Sequence, residues 1–282
     1  MNYTAEMLDQ FITLALLEDV GDGDHTSLST IPAGIQSKAR LIIKEDGVLA
    51  GLEIACAIFQ KIDAGLQVNI YAKDGQDVKY GDVVLDVHGS VHSILVAERL
   101  VLNIMQRMSG IATMTRQVVK KLEGLSTKIL DTRKTTPNLR FLEKEAVKIG
   151  GGANHRFGLY DMILIKDNHV DYAGGIRNAI AHAKQYLAKT GRNLQIEIET
   201  RTLEEVQQAL EEGGVQRIMF DNFGYEQIRK AVEMVNGRFE TEASGGITIE
   251  NVREYAACGV DYISMGALTH SVKSLDMSLK AF

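Results

Sequence analysis

Tryptophan is absent from this 282-residue chain, prolines and cysteines number two each, and aromatic residues make up only 6%. With two prolines the chain has no Pro-rich linker, and no low-complexity tract interrupts it, so it is expected to fold from end to end. Cys56 and Cys258 lie far apart and form no CxxC pair, which excludes the usual spacing of a metal or redox couple and predicts buried, reduced thiols. No apolar run approaches the roughly 18 residues of a membrane span. Glu6 and Asp9 precede any basic residue, so no charged-then-apolar leader is legible and a cytoplasmic location is expected. Positive charge is also short: 31 Lys and Arg against 37 Asp and Glu leave a net of -6, which argues against a nucleic-acid partner held by a general basic surface. Walker-type Gly-x-x-x-x-Gly-Lys, dinucleotide Gly-x-Gly-x-x-Gly and His-Glu-x-x-His motifs are all missing.

What is present is the make-up of an ordinary globular α/β protein, 45% hydrophobic and 24% charged, long enough for one large or two smaller domains. The first part, to about residue 112, mixes a periodic helix around Met7 to Leu17, a Gly- and Asp-rich loop over Val20 to Ser27, and short strand-like runs. Lys73 to Val84 has the turn glycines and alternation of a small carrier sandwich, but no lysine sits at a modifiable hairpin tip. Ser93 to Met108 reads as a helix that Ser109-Gly110 interrupts. On it Arg99 falls between Leu95 and Leu102, on the face a simple amphipathic helix would bury, an odd place for a cation unless an anion meets it. His88 and His92, four apart across a glycine, read as a strand-to-helix turn rather than a metal pair.

The second part repeats one pattern. Apolar runs end at Arg133, Lys166, Glu199, Asp221, Ser244 and Gly266, at intervals of 33, 33, 22, 23 and 22 residues. That is the rhythm of βα units closing into a barrel, whose reactive groups gather at the carboxyl ends of the strands. A parallel sheet buries both faces, so charges within its strands should be rare unless they line a site. One mouth holding Arg133, Lys166, Glu199 and Asp221 is therefore predicted.

Between residues 131 and 169 seven Lys and Arg face five Asp and Glu, a local cationic excess in an acidic chain. Arg140, Lys144 and Lys148 read as a solvated helix face, which leaves Arg133, Lys134, Arg156 and Lys166 for a small, strongly anionic substrate. Arginine adds a planar fork that fits carboxylate or phosphate. Ser244-Gly245-Gly246 and Gly266-Ala267 end the last two runs, where backbone amides and a following helix would suit a phosphate group.

These residues, with Glu98-Arg99-x-x-Leu102-Asn103, Asp131-Thr132-Arg133-Lys134-Thr135, Gly151-Gly-Ala-Asn-His155-Arg156, Ile165-Lys-Asp-Asn-His169, Glu197-Ile-Glu199, Phe220-Asp-Asn222, Ala243-Ser-Gly-Gly-Ile247 and Ser264-Met265-Gly-Ala-Leu-Thr-His270, resemble the nicotinate-nucleotide pyrophosphorylase (carboxylating), or quinolinate phosphoribosyltransferase, family. The resemblance runs over nearly the whole chain, and its motifs are specific in combination.

It implies an α/β fold: a sandwich-like N-terminal domain, residues 1–112 rejoined by 271–282, packed on an open seven-stranded barrel over 113–270. It implies an NAD-biosynthetic enzyme that converts quinolinate and 5-phosphoribosyl 1-pyrophosphate, with Mg²⁺, to nicotinate mononucleotide, pyrophosphate and carbon dioxide. It also implies a homodimer with shared sites, in which Arg99 comes from the neighbour. Arg133, His155 and Arg156, with Thr132 and Thr135, would surround the diacid. Lys134 and Lys166 would reach carboxylate or diphosphate, and Glu199 and Asp221 the ribose or the metal. Ser244, Gly245, Gly246, Met265, Gly266 and Ala267 would take the 5-phosphate. Two other readings stay open from the residues alone: a Schiff-base lyase using Lys166, and a relative acting on another base.

Overall fold

The computed structural model describes residues 4–282, which form two compact units: residues 4–116, 135–151 and 271–282, and residues 117–134 and 152–270. In chain order the elements are α1 (Ala5–Val20), α2 (His25–Thr30), β1 (Gln36–Ile43), β2 (Gly47–Val48), α3 (Leu52–Ile62), β3 (Gln67–Ile70), β4 (Asp77–Val78), β5 (Val83–Ser90), α4 (Val91–Lys121), β6 (Lys128–Leu130), α5 (Arg140–Ile149) and β7 (Ile163–Ile165). They continue with α6 (Asp167–Ala173), α7 (Ile176–Thr190), β8 (Ile196–Thr200), α8 (Leu203–Glu212), β9 (Arg217–Asp221), α9 (Tyr225–Val235), β10 (Glu240–Ser244), α10 (Val252–Ala256), β11 (Tyr262–Ser264), α11 (Ala267–His270) and β12 (Met277–Ala281).

In the first unit an antiparallel sheet runs β12-β1-β5-β3, so the last strand returns to lie beside the first. Alternation puts Ala39, Leu41 and Ile43 of β1 inward, and register aligns Leu41 with Leu279 on one side and Leu85 on the other. All three leucines are buried. Each such side chain contributes about 1.5–3 kcal/mol on leaving water. The segment from Lys73 to Val84 makes no separate carrier sandwich; it supplies β4, paired with β2, and the start of β5.

α4 runs unbroken through Ser109-Gly110, where the sequence predicts an interruption. The buried Ser109 hydroxyl accepts from the Ala50 amide at 2.9 Å and donates to the Ala50 carbonyl at 3.2 Å. A Cβ at Gly110 would press on the Lys273 backbone and come 3.1 Å from Ser274 Cα. Both residues thus serve a close approach within the unit rather than a helix stop. Arg99 is exposed, in line with Leu95 and Asn103, while Ala97, Val101, Met105 and Met108 take the buried face. The expectation that Arg99 lies on the buried face fails because the helix buries positions on either side of it. Lys144 of α5 is wholly buried rather than solvated, and of the predicted basic face only Lys148 is exposed. Cys258 is buried, Cys56 is half-buried, and both are free thiols.

The second unit is a parallel sheet ordered β6-β11-β10-β9-β8-β7. The seven strands expected are six, with a single parallel bridge from Leu130 to Ala153 flanking β6 in the seventh place. Were the sheet flat, Ala153 would stand five strand spacings, about 24 Å, from β8. Yet His155 Nε2 is 3.0 Å from Glu197 Oε2 on β8. The sheet therefore curls into a barrel, and the side chains of its concave face meet. Period-2 alternation decides which they are: Glu197 and Glu199 on β8, Arg217, Met219 and Asp221 on β9, and Glu240, Glu242 and Ser244 on β10. The alternate residues Ile196, Ile198, Ile218, Phe220 and Ala243 are buried on the opposite face.

Candidate active site

At the carboxyl ends of these strands lies a cavity of about 840 Å³. Of the residues singled out from the sequence it is lined by Thr132, Arg133, Lys134, His155, Arg156, Lys166, Glu199, Asp221, Ser244, Gly245, Gly246, Met265, Gly266 and Ala267. Two stand apart. Arg99 is not among the lining residues, and Thr135 Oγ1 instead accepts from Arg140 Nε at 3.0 Å. Sequence reasoning passed over Asp167, Asn222, Thr248 and His270, which also face the cavity. His270 closes the Ser264 to His270 motif, so its position in that run was the available signal.

β6 stops at Leu130, and the buried Asp131 carboxylate turns the chain by accepting from the His155 amide at 2.9 Å and from the Asn154 side chain. Arg133 and Arg156 thereby reach the same rim. Burial, and next the like charge of Arg133, push the Arg156 guanidinium below its ordinary value. Two cations that feel one another in this way can pair with a doubly charged anion. Lys134 is fixed by its backbone: its amide donates to Thr132 Oγ1 at 3.1 Å and its carbonyl accepts from Thr269 Oγ1 at 2.7 Å.

Across the mouth, Lys166 Nζ lies 3.7 Å from Glu199 Oε2. Burial, then the charge of Asp221, raises the Glu199 carboxyl, while Lys166 opposes them. Lys166 itself is half exposed, at 50%, with a carboxylate beside it. That is not the dry, cation-flanked setting that activates a Schiff-base amine, so the geometry favours an electrostatic role. Two hard carboxylates on neighbouring strands, each repelled by the other, suit an oxygen-loving divalent cation such as Mg²⁺.

Beyond β10 the chain bends at Gly245 (φ 95°) and Gly246 (φ 61°), and a Cβ at Gly245 would lie 2.8 Å from the Asn222 backbone nitrogen. Only glycine fits there, because φ is positive and a neighbouring backbone is in contact. The helix expected directly after Ser244 to Gly246 starts only at Val252, whereas α11 does begin directly after Gly266.

Below the mouth the barrel interior is charged. Arg217 donates to Glu242 Oε2 at 2.9 Å and to Glu240 Oε2 at 2.9 Å, and its guanidinium lies 4.0 Å over the Tyr262 ring. Burial pushes the Glu242 carboxyl up to about 7, helped by Glu197 and opposed by His155. Burial likewise lifts Glu197 to about 7, against the charge of Arg217.

Family models for the quinolinate phosphoribosyl transferase C-terminal domain and N-terminal domain match residues 111–280 and 24–109. The chain belongs to the quinolinate phosphoribosyl transferase family. It is 49% identical to a rice protein named nicotinate-nucleotide pyrophosphorylase [carboxylating], chloroplastic, covering 97% of this chain and 77% of that one. A Bacillus subtilis protein named probable nicotinate-nucleotide pyrophosphorylase [carboxylating] is 45% identical, over 96% of this chain and 92% of its own length. The solved structure of NadC from Streptococcus pyogenes superposes with a TM-score of 0.93 at 40% identity, covering 100% of this chain and 99% of that chain. Such likeness over the whole length carries the α/β fold of both parts of the family.

Proposed function

We propose that this chain transfers the phosphoribosyl group of 5-phosphoribosyl 1-pyrophosphate to the ring nitrogen of quinolinate, yielding nicotinate mononucleotide, pyrophosphate and carbon dioxide in NAD biosynthesis. The observation that carries this reading is the gathering of Arg133, Lys134, Arg156 and Lys166 with Glu199 and Asp221 around one cavity at the barrel mouth. A pyridine diacid brings two negative charges and a diphosphate brings more. A unit pair at 4 Å contributes on the order of 4 kcal/mol at an effective dielectric near 20.

Arg133 and Arg156 grip the diacid beside the pocket face of His155, with Thr132 at the rim. Lys134 and Lys166 reach carboxylate or diphosphate, and the turn at Ser244 to Gly246, with Met265, Gly266 and Ala267, receives the 5-phosphate. When the bond from the anomeric carbon to pyrophosphate breaks, its electron pair leaves with the diphosphate and positive charge grows on the ribose. Glu199 and Asp221 stabilise that charge. The ring nitrogen then bonds to the anomeric carbon and becomes cationic. Loss of the neighbouring carboxylate as carbon dioxide leaves an electron pair on the ring carbon, which the adjacent positive nitrogen stabilises until a proton is taken up. No covalent nucleophile is needed. Arginine contacts that grip the departing carboxylate equally before and during its loss do not lower that barrier.

Glu199 and Asp221 would hold Mg²⁺, which when bound supplies neutralising charge for the leaving pyrophosphate. The working unit in this reading is a homodimer in which the exposed Arg99 of a second copy completes the diacid site. Its proposed location is the cytoplasm.

Incubation with quinolinate, phosphoribosyl pyrophosphate and Mg²⁺ tests the reaction. Nicotinate mononucleotide with equimolar carbon dioxide is expected, and release of pyrophosphate without either product would count against it. Mixing inactive Arg99→Ala and Arg156→Ala proteins tests the shared site: activity returns only if one copy lends its arginine to the other.

A further inference from the structure

The charges under the site are not spent on the reaction as described, and their geometry converges on one ring. The Arg156 amide donates to His155 Nδ1 at 2.7 Å, and His155 Nε2 lies 3.0 Å from Glu197 Oε2 and 3.7 Å from Glu242 Oε2. A neutral imidazole whose Nδ1 accepts a hydrogen bond carries its hydrogen on Nε2. Here that nitrogen lies within ion-pair distance of two fully buried carboxylates on β8 and β10, close to them but not aligned as a hydrogen bond. Arg217 ties the pair together, 2.9 Å from Glu242 and 3.9 Å from Glu197.

We propose that Glu197 and Glu242 are positioning residues that fix His155 in the Nε2–H form, so that its Nδ1 holds the Arg156 backbone and aims that guanidinium into the cavity. The opposite tautomer would set N–H against N–H, break the His155–Arg156 bond and let the start of the arginine side chain move. The inference rests on the reading that Arg156 meets a quinolinate carboxylate. His155, Glu197 and Glu242 also place ligand atoms within 4.8 Å of one another, as a metal site would. The Arg217 guanidinium already supplies the positive charge there, so a cation would meet repulsion, and the tautomer-fixing role is the one the contacts favour.

Nitrogen-15 histidine spectra of the whole protein test this directly, with the His155 signals identified by their loss in His155→Gln. The expected pattern is an unprotonated Nδ1 and a protonated Nε2, and it does not depend on which substrate is used. In Glu242→Gln and Glu197→Gln the KM for quinolinate should rise about tenfold, the lower end of what a close charge contact contributes, with the KM for phosphoribosyl pyrophosphate nearly unchanged and the ring sampling both tautomers. A role confined to stability would leave the tautomer and the ratio of the two KM values alone. An Nδ1–H or doubly protonated ring in the parent, a bound metal that is lost in Glu242→Gln but kept in Asp221→Asn by elemental analysis, or a Glu242→Gln protein with parental tautomer and quinolinate KM would each overturn the proposal. A parent protein inert toward quinolinate overturns the functional reading instead, and the ring spectrum still decides the tautomer.

Discussion

In the antiparallel sheet of the first unit, Leu279, Leu41 and Leu85 stand side by side across three strands. In the barrel the equivalent inward places hold Arg217, Glu197 and Glu242. Both sets are buried, and both obey the same period-2 alternation. The difference lies in how each tolerates change. An apolar row loses only the contacts of the side chain that is removed. A charged row loses compensation as well, because each remaining charge stays in a poor dielectric without its partner.

That contrast is broken first, and hardest, at Arg217. Arg217→Met leaves Glu197 and Glu242 buried together with no guanidinium between them, and a loss of about 3–5 kcal/mol in unfolding free energy is expected at neutral pH. Denaturant titration checks it; an unchanged midpoint would mean the barrel interior tolerates bare carboxylates. Leu41→Ala in the other sheet should cost somewhat less, about 2–5 kcal/mol depending on how far the site collapses, and the activity per folded molecule should not change. If Leu41→Ala also altered the quinolinate KM, the two regions would not be separable in the way their chemistry implies.

At the rim the comparison concerns binding rather than stability. Arg156→Lys keeps the charge and loses the planar fork, so kcat/KM for quinolinate should fall roughly 100-fold, about 2.7 kcal/mol, while the melting temperature moves little. Steady-state kinetics with each substrate varied in turn separates this from a general loss.

The contrast also explains what could be read before the structure. The strand-end charges Arg133, Lys166, Glu199 and Asp221 were legible because they interrupt apolar runs at regular intervals, and the cavity does bring them together. Glu197, Arg217 and Glu242 sit inside the same runs, yet nothing local says that three strands will turn them toward one another; only the curl of the sheet does that. Ser109-Gly110 misled for the same reason. Its helix-breaking composition is offset by the contacts of Ala50, Lys273 and Ser274, distant in sequence. Lys144 looked solvated because its neighbours are charged, whereas α5 packs with residues of the first unit and buries it.

The smallest and most diagnostic effect is on pH dependence. The Glu242 carboxyl titrates near 4.5 as an unperturbed group and at about 7 in the fold, chiefly through burial. The native state therefore keeps a proton between those values that the unfolded chain has already released. Its contribution to stability is complete below the lower value and is lost as pH rises through the upper one, so stability should fall between about pH 4.5 and 7 and level off above. Hydrophobic burial at Leu41 has no such dependence. Melting curves of the parent at pH 5 and pH 8 should differ by a few degrees more than those of Glu242→Gln, in which no ionisable group remains at that position. Glu197 shares the same buried space, so the two carboxyls titrate as a pair and the transition should be broader than one group would give. Equal pH slopes in parent and variant would mean that the pair already shares its charge with Arg217 and His155 strongly enough to stay ionised, and the barrel interior would then be a salt-bridge cluster rather than a proton-holding one.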